Sequence, residues 1–208
     1  MKIAVLGATG AIGQQVTEQA LAAGHEVRAL VRDTSRQMLD RIDTVPGDIV
    51  DAEAVARAVE GTDAVIWCVG ATRNAADQVP IFESVARNLV AAMRRHGVRR
   101  LVALSGAGVT MRGERKPLSG RLMSAVVKVA ARHVYEAKRR EFEVFTRSDL
   151  EWTLLRPPRV VNGPVTGRSV VGLQLSSSRV TQGDLAQAMV EQLRDTSYLH
   201  AAPFVSTA

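Results

Sequence analysis

Apolar residues along this chain fall into short continuous runs that alternate with longer segments of helical spacing. The runs predict strands at Ile3–Leu6, Glu26–Val31, a short segment ending at Val45, Ala64–Val69, Leu101–Leu104 and Trp152–Leu155. The helical segments are Gly10–Ala23, Asp51–Val59, Val79–His96, about Leu122–Arg147, and a last helix from Thr181 to about Arg194. Strands that alternate with helices of this length predict βαβ units, which are joined by right-handed crossovers and form a parallel sheet.

The fold class predicted by this alternation is α/β, a Rossmann doubly wound parallel sheet with helices on both faces. The segment Val160–Leu175 is punctuated by glycine and predicts a pair of strands, and a terminal strand is expected around Tyr198–Val205. The 208 residues fit one domain, since no internal repeat or linker interrupts them. We therefore expect a single Rossmann domain over residues 1–208, in which residues from about 156 to 180 form a small C-terminal substrate lobe.

The composition, with 46% hydrophobic and 23% charged residues, is that of an ordinary globular protein. The net charge of +6 raises the question of nucleic acid, but aromatic residues, the stacking platforms of single-strand binders, make up only 4% of the chain. No apolar window is long enough to cross a membrane, and the scattered histidines argue against a metal site. We expect a cytoplasmic protein, a monomer or homodimer, whose partner is a small molecule rather than nucleic acid or a membrane.

A glycine-rich turn follows the first predicted strand and opens the first helix. Its residues are Gly7-Ala8-Thr9-Gly10-Ala11-Ile12-Gly13. Three glycines at this spacing allow a tight turn and a close approach of a pyrophosphate to the backbone, where the N–H groups and the positive dipole end of the helix bind phosphate oxygens. The strand–turn–helix context that this motif requires is present. The sequence therefore predicts a dinucleotide site that includes Gly7, Thr9, Gly10, Ala11, Ile12 and Gly13.

The end of the second strand decides between NAD and NADP in this fold. A carboxylate there binds the ribose 2′-OH, whereas a basic residue accommodates a 2′-phosphate. Here Arg32 lies at the strand end, and Ser35 and Arg36 add a hydroxyl and a second guanidinium. Guanidinium groups bind phosphate through paired, charge-assisted hydrogen bonds. We therefore expect NADP(H), while Asp33 is the competing candidate for a 2′-OH or a cap of the following segment.

Two further segments follow predicted strands and so lie at the edge of the sheet where ligands bind. Asp48 and Ile49 come after the third strand, where an open sheet places an adenine, although Asp48 is equally suited to cap a turn or helix. Gly70, Ala71 and Thr72 follow the fourth strand. The single cysteine, Cys68, is expected to be a core residue rather than a nucleophile.

These residues together resemble the atypical short-chain dehydrogenase/reductases. The matching runs are Gly7 to Gly13, Leu30-Val31-Arg32-Asp33, Pro46-Gly47-Asp48, Ser105-Gly106-Ala107, His133 to Lys138, and Trp152-Thr153-Leu154-Leu155-Arg156-Pro157. In particular the chain is similar to the NADPH-dependent flavin reductase/biliverdin-IXβ reductase group within the NmrA-like set. The resemblance covers nearly the whole chain and is weakest from about Met111 to Ala131 and after Gly163.

The resemblance implies a bound NADPH with its nicotinamide near Ser105, and it places Pro157 among the cofactor-binding residues. It also implies that Lys138 contacts the nicotinamide ribose or the substrate and that His133 binds or orients the substrate. A flavin is then a candidate substrate. The alternative interpretation of Ser105 is a turn-forming residue before Gly106, and that of His133 is a helix-surface residue without a ligand role. Arg159 stands where the group has a histidine, which favours a more anionic acceptor such as a flavin phosphate.

The usual Tyr-x-x-x-Lys pair, in which an ammonium lowers the pKa of a phenol for proton transfer, is altered in this chain. Val134 stands four residues before Lys138, and Tyr135 with Arg139 is the alternative pair. A site without the phenol favours conjugated acceptors, which spread the charge of an incoming hydride and take their proton from solvent. The sequence therefore predicts an NADPH-dependent reductase of a flavin, quinone or tetrapyrrole. A non-catalytic NADP(H) sensor of NmrA type and a nucleotide-sugar epimerase or dehydratase are the alternatives.

Overall fold

The computed structural model describes residues 1–33, 41–70, 73–106, 108, 109 and 131–208. The strands are β1 (Lys2–Leu6), β2 (Glu26–Val31), β3 (Asp43–Pro46), β4 (Ala64–Trp67), β5 (Arg100–Leu104), β6 (Glu151–Leu155), β7 (Arg159–Val161), β8 (Ser169–Gly172), β9 (Arg179–Thr181) and β10 (Phe204–Thr207). The helices are α1 (Ala11–Ala22), α2 (Ala52–Val59), α3 (Gln78–Arg95), α4 (Arg132–Thr146) and α5 (Gln182–Glu191).

Six of the strands form one parallel sheet in the order β3-β2-β1-β4-β5-β6. The strand order reverses between β1 and β4, and in an open parallel sheet such a reversal leaves a crevice at the carboxyl ends of the strands. The predicted α/β Rossmann fold is confirmed.

Both faces of the sheet are buried because successive residues of each strand point to opposite sides. In β1, Ile3 and Val5 face one core cluster and Ala4 and Leu6 face the other. Helices α1 and α5 cover the first face, while α2, α3 and α4 cover the second. The short apolar runs of the sequence are therefore strands buried on both faces, which explains why they lack a polar alternation.

The C-terminal part departs from two expectations. The strands within Val160–Leu175 do not pair with each other, since β7 pairs in parallel with β9 and β8 pairs antiparallel with β10. The terminal strand begins at Phe204 rather than around Tyr198. The reason is local: His200 has a φ of 55°, a left-handed backbone conformation that interrupts an extended run. Of the predicted helix Leu122–Arg147, residues 122–130 lie outside the described part of the chain.

Among the described helices, none combines the length and the apolar composition that crossing a bilayer would require.

Candidate active site

The glycine turn after β1 brings the first and third glycines into contact. Gly7 has a φ of +89°, a backbone conformation that residues with a Cβ rarely adopt. A Cβ at this position would lie 2.9 Å from the carbonyl carbon of Cys68. At Gly13 a Cβ would lie only 2.0 Å from the carbonyl oxygen of Gly7. Gly10 differs, since its nearest obstacle is the Gly7 oxygen at 3.4 Å and the rest of the space beside it is open. Gly7 and Gly13 thus build the turn, and Gly10 leaves room for a ligand.

Helix α1 offers unsatisfied N–H groups at this turn. Its N-cap, Gly10, supplies no side chain, and the first amides of a helix, here those of Ala11, Ile12 and Gly13, have no partner within the helix. The turn itself is closed by the Gly10 N–H, which donates to the Gly7 oxygen at 3.1 Å, and by the Gln14 side chain, which donates to the Thr9 oxygen at 3.1 Å. The residues present therefore fit a pyrophosphate, which is an anion that these amides and the helix dipole can bind.

Arg32 lies just beyond the end of β2 with 80% of its side chain exposed. Its guanidinium is 3.9 Å from the carboxylate of Asp48, a distance at which an exposed ion pair contributes little. Asp48 itself accepts the Val50 N–H at 3.2 Å, which makes it a turn residue, and Ile49 packs partly buried against the core. Arg32 is thus available to an anionic ligand. Ser35 and Arg36 lie outside the described residues, as do Ala71 and Thr72.

Ser105 lies directly after β5 and is 9% exposed. Its N–H donates to the Leu155 oxygen at 2.8 Å, so the ends of β5 and β6 are held together. Among the described residues, its Oγ has no hydrogen-bond partner. Gly70 is exposed at the end of the neighbouring strand, and Pro157 is buried after β6. A buried hydroxyl without a partner costs free energy, and such a group at a ligand-binding edge is suited to hydrogen-bond a ligand.

Lys138 lies on α4 with its side chain 13% exposed. Its Nζ donates to the Val69 oxygen at 2.7 Å, the Leu104 oxygen at 3.0 Å and Glu141 Oε1 at 2.8 Å. An ammonium has three N–H donors, so these three acceptors satisfy it completely. Any contact between Lys138 and a ribose or substrate would require one of these bonds to break.

Glu141 is the buried partner of Lys138, with only 2% of its side chain exposed. Burial raises the pKa of this carboxyl above its ordinary value, against the opposing effect of the Lys138 ammonium. The buried Trp67 side chain acts on the pKa of this carboxyl in the same direction as the ammonium. A buried Lys–Glu pair therefore lies beside the ends of β4 and β5.

His133 lies in the first turn of α4, and its backbone N–H donates to Asn74 Oδ1 at 2.9 Å. Asn74 thereby caps the start of α4 from the loop after β4. On the next turn, Arg139 binds the carboxylates of Glu136 and Glu143, and its hydrogen bonds lower the pKa of Glu136 to about 2. The guanidinium of the alternative Tyr135/Arg139 pair is thus already engaged with carboxylates.

The comparison with known families agrees with this geometry. The family described as NAD(P)H-binding matches residues 7–196, a stretch that includes the glycine turn, Arg32, Ser105 and Lys138. The chain belongs to the NAD(P)H-binding family. This match confirms the predicted nicotinamide dinucleotide cofactor and the predicted membership of an NAD(P)-binding set.

The similar proteins include a reductase and two solved structures. This NAD(P)H-binding chain is 41% identical over 116 residues to a 3-diazoavenalumate denitrifying reductase from a Streptomyces species, and the match covers 50% of this chain but only 38% of that relative. The anaerobillin reductase ChuY from Escherichia coli O157:H7 has a TM-score of 0.82 at 18% identity, covering 100% of this chain and 97% of that one. A short-chain dehydrogenase/reductase from Veillonella parvula, solved in complex with NADP, has a TM-score of 0.79 at 20% identity, covering 99% and 94%. The two structures share the fold.

Three residues with contacts around the candidate site were not singled out from the sequence. Asn74 accepts the His133 N–H from 59 residues earlier in the sequence, so no local sequence pattern indicates this contact. Glu141 follows Lys138 by three residues, a helical spacing that could have suggested a pair. Arg156 is 2% exposed, donates to the Ala202 oxygen at 2.7 Å and the Val109 oxygen at 2.9 Å, and stacks on Phe204 at 4.1 Å. It joins the segment after β5 to the C-terminal strand.

Proposed function

We propose that this chain is an NADPH-dependent reductase that transfers hydride to a conjugated acceptor such as a flavin, a quinone or a tetrapyrrole. The observation that carries the proposal is the composition of the site at the end of β5. A buried hydroxyl at the end of β5, Ser105 Oγ, has no hydrogen-bond partner among the described residues, while the position four before Lys138 is the apolar Val134. The similarity to a named reductase over half of the chain supports the same class of activity.

The choice of a conjugated acceptor follows from proton chemistry. Reduction of an isolated ketone develops an alkoxide, which an acid in the site must protonate. Val134 cannot supply a proton, and the ammonium of Lys138 is bound to three protein acceptors. A conjugated acceptor spreads the charge over many atoms and can be protonated by water. The site therefore suits such an acceptor better than it suits a simple ketone.

Each part of the site has a binding role in this proposal. The first amides of α1 hold the pyrophosphate, and Arg32, together with Ser35 and Arg36, holds the 2′-phosphate. Asp48 and Ile49 border the adenine, and Gly70 and Pro157 border the nicotinamide half. When bound, the nicotinamide supplies the hydride, while the protein supplies position and electrostatics. Ser105 offers its Oγ–H to the ligand at the end of β5, and His133 lies at the first turn of α4.

The segment from about 156 to 180 is proposed as the substrate lobe. It contains most of the large apolar side chains that the described residues expose, namely Val160, Val165, Val170, Leu173 and Leu175. It follows β6 directly, so the chain enters it at the ligand-binding edge of the sheet. Exposed apolar side chains in one segment suit a flat, conjugated ligand, which has large apolar faces.

The test is the oxidation of NADPH by the purified protein with FMN, FAD, a quinone and biliverdin as acceptors, with NADH run beside it. Turnover of at least one acceptor would support the proposal. Binding of NADP(H) with no turnover of any of them would contradict it and favour a sensor that binds the cofactor and regulates a partner. The apolar Val134 is equally compatible with that second function.

The Arg32→Ala variant is expected to lose the preference for NADPH. Removing a guanidinium that binds a phosphate costs about 1.5–3 kcal/mol, so NADPH affinity should fall about 10–100-fold while NADH affinity stays within about threefold. Fluorescence titration with both cofactors measures the two constants. Arg73→Ala, which removes an exposed arginine paired with Asp77, is the matched control. An equal fall for both cofactors would contradict the assignment of Arg32 to the 2′-phosphate.

The Ser105→Ala variant is expected to lower turnover without lowering stability. Its Oγ has no partner among the described residues, so its loss removes a buried polar atom that costs free energy, and the unfolding midpoint should stay or rise. Turnover should fall about tenfold, since a ligand-facing hydrogen bond is lost. A lower unfolding midpoint with unchanged turnover would show that the hydroxyl is structural.

A further inference from the structure

The ammonium of Lys138 binds the carbonyl oxygens of Val69 and Leu104. These residues immediately precede Gly70 and Ser105, the two ligand-edge residues at the ends of β4 and β5. The two strands are neighbours in the sheet, and at their carboxyl ends the ladder of hydrogen bonds between them stops. The Lys138 side chain therefore joins the ends of β4 and β5 at the point where the backbone hydrogen bonds between the two strands end.

Glu141 is what holds that ammonium in place. Its Oε1 lies 2.8 Å from Lys138 Nζ, and the pair is buried, with side-chain exposures of 13% for the lysine and 2% for the glutamate. A buried ammonium that faced only carbonyl groups would carry an uncompensated charge. Both residues also lie one helical turn apart on α4, so the helix positions them together.

We propose that Lys138 and Glu141 form a buried strap that sets the spacing between Gly70 and Ser105, and that Lys138 is a positioning residue rather than a ligand-contacting one. The strap acts through the backbone of Val69 and Leu104, which two hydrogen bonds from Lys138 fix relative to α4. The expected effect of the strap on turnover rests on the proposed reductase function. Its expected effect on hydrogen exchange at the ends of β4 and β5 does not depend on that function.

The test compares Glu141→Leu with Glu141→Gln, because the amide keeps the shape and an oxygen acceptor for Lys138 while leucine does not. Hydrogen exchange of the ligand-free protein is the first readout. In Glu141→Leu, amides after the ends of β4 and β5 should exchange at least about tenfold faster, while those of β1 stay unchanged. Glu141→Gln keeps the hydrogen-bond acceptor but not the negative charge, so its exchange should lie between that of the wild type and that of Glu141→Leu. Glu143→Leu, which removes a half-buried carboxylate of the same helix that binds Arg139 rather than Lys138, is the matched control.

The second readout separates cofactor binding from turnover. The glycine turn and Arg32 are untouched, so the dissociation constant for NADPH should change less than about threefold in Glu141→Leu, whereas kcat should fall at least about tenfold. If Lys138 instead contacts the ligand, Glu141→Leu frees one of its N–H donors and kcat should be kept. Unchanged exchange at the strand ends in Glu141→Leu, or a kcat as low in Glu141→Gln as in Glu141→Leu, would overturn the strap.

The double variant Lys138→Met/Glu141→Leu covers the case in which Glu141→Leu does not fold, because it removes both buried charges at once. Its strand ends should still exchange faster than those of the wild type, since Val69 and Leu104 have lost their donor. Wild-type exchange in this variant would overturn the proposal. If the wild-type protein reduces no acceptor, the reductase function fails while the exchange experiment still decides the strap.

Discussion

The Gly13→Ala variant is expected to lose the native fold, whereas Gly10→Ala is expected to fold and to lose its cofactor. A Cβ on Gly13 would lie 2.0 Å from the Gly7 oxygen, which belongs to the backbone of the turn between β1 and α1. Overpacking by one carbon costs about 1–3 kcal/mol even where flexible side chains can move, and here none of the clashing atoms can. The loss should exceed that range and consume much of a stability of about 5–15 kcal/mol.

At Gly10 the added carbon has room. Its φ of −78° and ψ of 164° are ordinary for alanine, and its nearest obstacle is 3.4 Å away. The free energy of unfolding should change by less than about 1 kcal/mol. The methyl group would, however, occupy the space beside the first amides of α1. Displacing charge-assisted hydrogen bonds worth about 1.5–3 kcal/mol should weaken NADPH binding about 10–100-fold.

Urea unfolding followed by circular dichroism, together with NADPH titration, tests both variants. Each serves as the control of the other, because the two substitutions are chemically identical and three residues apart. If Gly10→Ala bound NADPH as tightly as the wild type, the pyrophosphate would not lie at this turn. If Gly13→Ala were as stable as the wild type, the close contact between the turn and the helix would not be real.

The second large effect is expected for Asp184→Asn, which should lower the free energy of unfolding by about 3 kcal/mol or more. Asp184 is fully buried and its carboxylate accepts three hydrogen bonds, from the Thr166 N–H at 2.7 Å, the Thr166 hydroxyl at 2.8 Å and the Thr207 hydroxyl at 2.6 Å. It thus joins the first turn of α5 to the loop before β8 and to β10. An amide N–H₂ group in its place would face either the Thr166 N–H, which cannot accept, or hydroxyls that already accept the N–H groups of Arg168 and Thr181.

Urea unfolding at neutral pH measures this loss. Asp77→Asn is the control, since its exposed pair with Arg73 should contribute no more than about 0.5 kcal/mol. A loss in Asp184→Asn no larger than that of the control would show that the three contacts do not stabilise the fold.

The stability contributed by Asp184 should depend on pH. Burial alone would raise its pKa, but the hydrogen bonds from Thr207 and Thr166 outweigh burial and hold the pKa below its ordinary value. A lowered pKa in the folded state means that the contribution is complete above the ordinary value of about 4 and is lost as the pH falls through the lower, folded pKa. The difference between the wild type and Asp184→Asn should therefore shrink only in acid.

The sheet and the glycine turn could be predicted because their signals are local. Strands buried on both faces are continuous apolar runs, and the roles of Gly7 and Gly13 follow from spacing alone. The pairing of β7 and β8 could not be predicted, since their partners, β9 and β10, are short segments distant in sequence. The hydrogen-bond partners of Lys138 could not be predicted from the sequence either, because two of them are backbone carbonyls. Sequence patterns describe side chains, and a carbonyl oxygen is the same at every residue.

Cys68 follows β4 directly, and its N–H donates to the Leu6 oxygen at 2.8 Å. Burial raises the pKa of its thiol to about 12, against the weaker opposing effect of Lys138. The thiol therefore stays protonated at neutral pH, and the thiolate, which is the form that attacks peroxides and disulfides, is scarce. Since this is also the single cysteine of the chain, no second thiol is available to form an internal disulfide. A dithiol–disulfide couple within this chain is thereby excluded, so the reducing equivalents of the proposed reaction would come from the bound dinucleotide rather than from cysteine pairs.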